Sequence, residues 1–187
     1  MSPASDPDVI VSASGLTKSY GKFEAVKSLN LEIRRGEIFG LIGPDGAGKT
    51  SIFHIMGGVM DRSGGDIDIL GLSPADARPY IGYQTQQFSL YLDLSVEENI
   101  RYSASLRNVS QVHYQKHTDE LLMLMDLRRF KARLAGNLSG GMKQKLALCC
   151  CLVARPKLLL LDEPTTGVDP VSRREFWDIL AGVASEG

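Results

Sequence analysis

Apolar and polar positions follow two periods along this chain. Val9 to Val11 opens a first apolar run, and Leu29-Asn30-Leu31-Glu32-Ile33 alternates with period two, as a half-buried strand does. After a turn at Arg34-Arg35-Gly36-Glu37, Ile38-Phe39-Gly40-Leu41-Ile42 is continuously apolar, which predicts a strand covered on both faces. Ser51 to Met60 carries Ile52, Phe53, Ile55, Met56, Val59 and Met60, predicting a largely buried helix. Asp66-Ile67-Asp68-Ile69 alternates again, and Ile81-Gly82-Tyr83 predicts another short strand. Ser95-Val96-Glu97-Glu98 spells a capping box, so a helix starts there. Helix-forming sequence runs on to Arg133, with Leu121, Leu122, Leu124, Met125 and Leu127 as its apolar side. Lys157 to Leu161 predicts a last buried strand, and Val171 to Ala184 a last helix with Phe176, Ile179, Leu180 and Val183 on one face. The reading is an α/β core interrupted by a helical insert at about residues 88–155.

Composition narrows the classes. The chain has 187 residues, 43% hydrophobic and 23% charged, which suits one globular domain and excludes disorder and collagen-like architecture. Its longest apolar stretch, Leu146 to Ala154, is far short of the roughly 20 residues a membrane helix needs. Met1-Ser2-Pro3-Ala4-Ser5-Asp6 has no basic start and no apolar run behind it, so no signal peptide is expected and a cytosolic protein is. A formal charge of -1 provides no field for gathering nucleic acid. Cys149, Cys150 and Cys151 are consecutive in a predicted helix and point about 100° apart. They are expected to stay reduced and serve packing.

Three segments carry chemistry. Gly43-Pro44-Asp45-Gly46-Ala47-Gly48-Lys49-Thr50 satisfies G-x-x-x-x-G-K-[ST] between a predicted strand and a predicted helix. Glycines let such a loop wrap so that its amides and the helix N-terminus face a phosphate chain. Lys49 would neutralise β/γ-phosphates, and the Thr50 hydroxyl would ligate Mg²⁺. Leu158 to Leu161 ends on Asp162 and Glu163; beside a phosphate loop the first suits a Mg²⁺ shell and the second can polarise an attacking water. Leu138-Ser139-Gly140-Gly141 precedes another helix and is either an ordinary N-cap or a second anion-binding end.

The phosphate loop, the LSGG segment at Leu138 to Gly141 and the LLLLDEP run at Leu158 to Pro164, in this order, resemble the ATP-binding subunit of an ABC transporter. That resemblance implies a P-loop NTPase core, about residues 1–87 and 156–187, with an antiparallel β subdomain and the insert as helical subdomain. It implies ATP bound by Gly43, Pro44, Asp45, Gly46, Ala47, Gly48, Lys49, Thr50 and Ser51, with Tyr20 as aromatic platform for adenine and Val26 beside it. Gln86 resembles the loop glutamine that senses Mg²⁺ and the γ-phosphate, which makes Thr50, Gln86 and Asp162 the metal residues and Glu163 and Gln86 the catalytic ones. Ser139, Gly140 and Gly141 would close over nucleotide held by another protomer, and Asp169 resembles the aspartate that communicates across that dimer. Gln86, Phe88, Leu90 and Tyr91 would pass the motion to a separate membrane permease, leaving the protein peripheral on the inner face of the membrane. Several spellings look most like drug- or lipid-exporter ATPases. The competing class, a soluble ABC ATPase acting on ribosomes or DNA, is opposed by the absence of basic runs and coiled-coil heptads.

Relatives carry a switch histidine on a strand after the helix that follows the aspartate loop. His54, His113 and His117 all lie elsewhere, and the chain stops at Gly187. The expectation is a fragment truncated at its C-terminus, in which nucleotide binding outlasts hydrolysis.

Overall fold

The computed structural model describes residues 6–86 and 89–185. They form two compact units, one through Ile81, which also takes in Ala184 and Ser185, and one from Gly82 to Val183.

The first unit is built on β1 (Val9–Tyr20), with β2 (Phe23–Arg34) on one edge and β3 (Gly64–Ile69) on the other, both antiparallel. Val11 stands opposite Ile33 on one side and Ile69 on the other. Period-two alternation therefore sends Val11, Ala13, Ile33, Ile67 and Ile69 into the buried face, and the register shift between Ala13 and Leu16 returns Leu16 to it. Both long strands extend well past the apolar runs that announced them. Helix α1 (Lys49–Met56) follows the glycine loop, and α2 (Pro74–Ala77) is capped by Ser73. The predicted helix end at Met60 is corrected to Met56. Gly57 and Gly58 stop the helix, and Gly58 sits at φ 67° where a Cβ would overlap the Pro74 carbonyl.

The larger correction concerns Ile38 to Ile42. These residues form no strand, and no strand among the described residues pairs with them. Ile38 is 58% exposed and Ile42 96%. A continuous apolar run reports that burial is sought, but strand structure requires a hydrogen-bonding neighbour, and none is supplied here.

In the second unit β4 (Ile81–Gln84) pairs with β5 (Leu158–Leu161). Around them lie α3 (Val96–Leu106), α4 (Gln111–Leu124), α5 (Gly140–Leu152) and α6 (Pro170–Ser185). The capping box closes as spelled: Glu98 N donates to Ser95 Oγ at 3.2 Å, and Ser95 N donates to Glu98 Oε2 at 2.7 Å. The Ser95 bonds hold the Glu98 carboxyl below its ordinary pKa. The helical stretch expected to reach Arg133 is broken at Asn108, φ 54°, and ends at Leu124, which is half exposed. A single apolar cluster holds Ile100, Leu122, Leu146, Leu148, Val153 and Phe176, with Leu159 and Leu161 packed against it. All three cysteines are free thiols; burial raises Cys149 and pushes Cys150 and Cys151 up to about 11 and about 12. They are packing residues, as expected. Among the described residues no helix is long and apolar enough to cross a membrane.

Candidate functional site

The first unit carries the phosphate loop. Gly48 stands at φ 82°, and a Cβ there would overlap the Ala25 carbonyl and crowd Val26 Cγ2. Only glycine fits, so the loop lies close against β2 and Val26 is buried beneath it. Helix α1 begins directly at Lys49 with no side-chain cap on its N-terminus. Its first amides are thus left for an outside acceptor, which suits a phosphate chain. Lys49 Nζ folds back over the loop and donates to the carbonyls of Gly43 at 2.8 Å and Pro44 at 2.9 Å, with Asp45 Oδ1 4.0 Å away. These are neutral or loose partners for an ammonium, and a phosphate oxygen is a stronger one.

Tyr20, 46% exposed, closes β1. Its hydroxyl lies 3.0 Å from Ser51 Oγ and donates to Met60 Sδ at 3.0 Å, while Lys18 Nζ lies 5.2 Å from the ring centroid. The phenol is tied to the helix that starts at the phosphate loop, leaving a ring face available for stacking.

The second unit carries the acids. Asp162 N donates to Gln84 O at 2.9 Å, extending the β4–β5 pairing to the strand end. The Asp162 residue is 3% exposed and has no ion pair among the described residues. A buried carboxylate without a cation nearby fits a hard divalent ion such as Mg²⁺. Burial, helped by Asp162, pushes the neighbouring Tyr83 phenol up to about 12. Glu163 adopts φ 50°, a backbone conformation that costs a non-glycine residue roughly 1–3 kcal/mol. Gln86 Nε2 and Thr166 Oγ1 both donate to Glu163 Oε2 at 3.1 Å. Both donors meet one oxygen, so Oε1 keeps its lone pairs for a proton.

Ser139 is the N-cap of α5, accepting from Met142 N at 3.3 Å. Asp169 Oδ1 accepts from the amides of Val171 at 3.1 Å and Ser172 at 2.9 Å, opening α6, and the Ser172 bonds hold its carboxyl below the usual range. A Cβ on Gly141 would come within 2.8 Å of Ser172 Oγ, so the LSGG turn and the aspartate loop abut. Gln144 is a buried polar position that the hydrophobic pattern does not reveal. Buried in α5, it donates through Nε2 to the Pro164 carbonyl and ties the LSGG helix to the acid loop. An amide one turn into an apolar helix was its only signal. Phe88 lies outside the described residues.

Comparison with known proteins points one way. The family described as ABC transporter matches residues 26–166. A probable multidrug ABC transporter ATP-binding protein, YbhF of Escherichia coli K12, is 42% identical over 186 residues, covering 96% of this chain and 32% of that protein. A doxorubicin resistance ATP-binding protein, DrrA of Mycobacterium tuberculosis H37Rv, is 36% identical, covering 96% of this chain and 56% of that protein. Among solved structures, an ATP-binding subunit of an ABC transporter has TM-score 0.83 at 30% identity, covering 95% of this chain and 76% of that one. CbiO1 of Clostridium perfringens, part of the transporter complex cbiONQ, has TM-score 0.86 at 28% identity, covering 96% and 75%. This chain thus spans about a third to just over half of those two curated relatives.

Proposed function

We propose the following from the premise that this chain belongs to the ABC transporter family: it binds ATP and Mg²⁺ and hydrolyses ATP to drive a separate membrane permease, in the direction of export. The observation that carries this is the uncapped start of α1 beneath Lys49, whose ammonium is held only by loop carbonyls. The amides from Gly46 to Ser51 would receive phosphate oxygens, and Lys49 would exchange its carbonyl partners for them. Tyr20 would stack on adenine, with Val26 supporting the loop below. On this reading the Thr50 hydroxyl, the Gln86 amide oxygen and the Asp162 carboxylate would be the protein's oxygens for Mg²⁺, which when bound would screen the negative charge of the phosphates.

Glu163 Oε1 would take the proton of the attacking water while Gln86 and Thr166 fix Oε2. The water oxygen forms a bond to the terminal phosphorus, and the bond to the bridging oxygen breaks. Ser139, Gly140 and Gly141 would cover the terminal phosphate of ATP held by a second ABC ATPase protomer, with Asp169 beside that contact. Residues 1–87 with 156–187 are read as the nucleotide-binding core and 88–155 as the helical subdomain. The protein would sit peripherally on the inner membrane face through its permease. The names of YbhF and DrrA support the export assignment over a soluble ribosome- or DNA-acting ATPase. Calorimetry with Mg-ATP tests the reading: the wild type is expected to bind, and Lys49→Ala to lose about 100-fold in affinity, roughly 2.7 kcal/mol. An unchanged affinity in Lys49→Ala would overturn it.

A further inference from the structure

Helix α4 carries two of the chain's three histidines one turn apart, and nothing in the nucleotide chemistry uses them. His113 and His117 stand at i and i+4, so both imidazoles rise from one face of the helix. Their rings are stacked, 5.8 Å between centroids and 8° from parallel. His113 is exposed, whereas His117 is half-buried and its Nδ1 lies 3.2 Å from the carbonyl oxygen of Val153, the C-cap of α5. A carbonyl oxygen can only accept, so Nδ1 donates the proton and Nε2 holds the lone pair.

This is more than two histidines sharing a surface. A neutral imidazole whose Nδ1–H is bonded to a backbone oxygen is held as metal-ligating histidines are: the outer bond fixes the tautomer, aims the ring and raises the basicity of Nε2. The helical spacing then makes the second ligand intramolecular, so a cation caught by His117 meets His113 at high effective concentration. An ion such as Zn²⁺ binds nitrogen at about 2.0–2.1 Å, so the two rings must converge on it. The exposed His113 is free to turn through its rotamers, while His117 stays anchored. Charge in the neighbourhood is balanced: Arg155 is bonded to Glu120 at 3.3 Å, and Lys116 and Asp119 are both exposed on the same helix. Among the described residues no third His, Cys, Asp or Glu completes a cluster, so water fills the remaining positions and the ion is exchangeable.

We propose that His113 and His117 form a surface chelate for a first-row transition-metal dication, bound through both Nε2 atoms, with Cu²⁺ held most tightly and Zn²⁺ and Ni²⁺ behind it. Imidazole nitrogen favours such ions over Mg²⁺, and the ranking follows the general order of divalent affinities. Coordination draws electron density from the His117 ring and makes Nδ1–H a stronger donor, so the ion pins α4 more firmly to the end of α5. The chelate shares no residue with the Mg²⁺ set proposed above and does not depend on it.

The test uses Zn²⁺, Cu²⁺ and Mg²⁺ alone as probes on the full, untagged, nucleotide-free chain at pH 8, read by NMR on the imidazole nitrogens with His54 as reference. Before any metal is added, His117 is expected as the Nδ1–H tautomer; an Nε2–H tautomer overturns the proposal. Micromolar Zn²⁺ should then shift His113 and His117 together in a one-to-one step, Cu²⁺ should displace it, and millimolar Mg²⁺ should move neither. His113→Ala changes an exposed position, so the His117 bond to Val153 should persist while Zn²⁺ affinity falls at least tenfold. An unchanged affinity in that variant, a response only at millimolar Zn²⁺, or an equal response of His54 would each overturn the chelate.

Discussion

In the first unit the phosphate loop follows five residues, Ile38 to Ile42, that no strand among the described residues pairs with; in the second the acid pair follows β5, which is bonded to β4 and backed by the main apolar cluster. The loop's shape nevertheless does not depend on that missing neighbour. Gly48 against the Ala25 carbonyl and Lys49 over Gly43 and Pro44 fix it from β2 and from within. The acids depend on their surroundings far more: Glu163 holds a left-handed backbone only because Gln86, Thr166 and the β4 pairing surround it. Binding geometry can be local, whereas proton-transfer geometry is assembled from distant segments.

The largest expected separation between the two regions is chemical. Glu163→Gln should lower ATP turnover by about 10²–10⁴ while leaving nucleotide affinity intact, and should accumulate an ATP-bound dimer visible by size-exclusion chromatography. A strictly monomeric variant in excess ATP would count against an arrangement in which Ser139 of one protomer covers ATP held by the other. Hydrogen exchange offers the next contrast. Amides of residues 38–42, without ladder partners, should exchange roughly a thousandfold faster than those of Leu146 to Leu152 in α5. Comparable protection would show that the apolar run has found a neighbour in solution.

A stability difference comes third. Asn99 is buried, accepts from Tyr91 N at 2.8 Å and donates to the carbonyls of Tyr91, Leu94 and Ser95. The three carbonyls keep backbone donors in Leu94 N, Ala135 N and residue 99 N, so Asn99→Ala leaves only the Tyr91 amide unpaired and should cost about 1–3 kcal/mol in urea unfolding. A fourth difference is alkaline. Cys150 and Cys151 have folded pKa values raised to about 11 and about 12 from 9.0, so the unfolded chain loses its thiol protons first as pH rises. Their contribution is complete below pH 9 and disappears as pH climbs through the folded values. Stability should therefore fall between pH 9 and 12, and replacing both cysteines by alanine should flatten that decline.

Sequence signals read correctly were those whose cause lies within a few residues. Ser95 and Glu98 spell a cap because both bonds close inside one turn, and Asp66 to Ile69 alternates because β3 has one buried face. Ile38 to Ile42 was misread because hydrophobicity gives the demand for a neighbour and not its presence. The extra length of β1 and β2 escaped notice because Ser12, Ser14, Lys27 and Ser28 are polar, yet strand pairing is a backbone matter. The burial of Asn99 and Gln144 has no signal in the hydrophobic pattern; Asn99 bonds the loop from Tyr91 to Ser95 just before its helix, and Gln144 the Pro164 carbonyl twenty residues on. Among the site residues, the phosphate loop and the acids were legible as motifs, whereas the shared grip of Gln86 and Thr166 on one carboxylate oxygen was not.

The bond from Gln144 to the Pro164 carbonyl has a mechanical consequence. It rivets the start of α5 to the turn that bears Glu163, so a pull on one is felt by the other without slack. On the function proposed above, a neighbour seizing Ser139 would nudge Glu163 directly, and any flexing that went with nucleotide turnover would have to pivot outside this riveted piece.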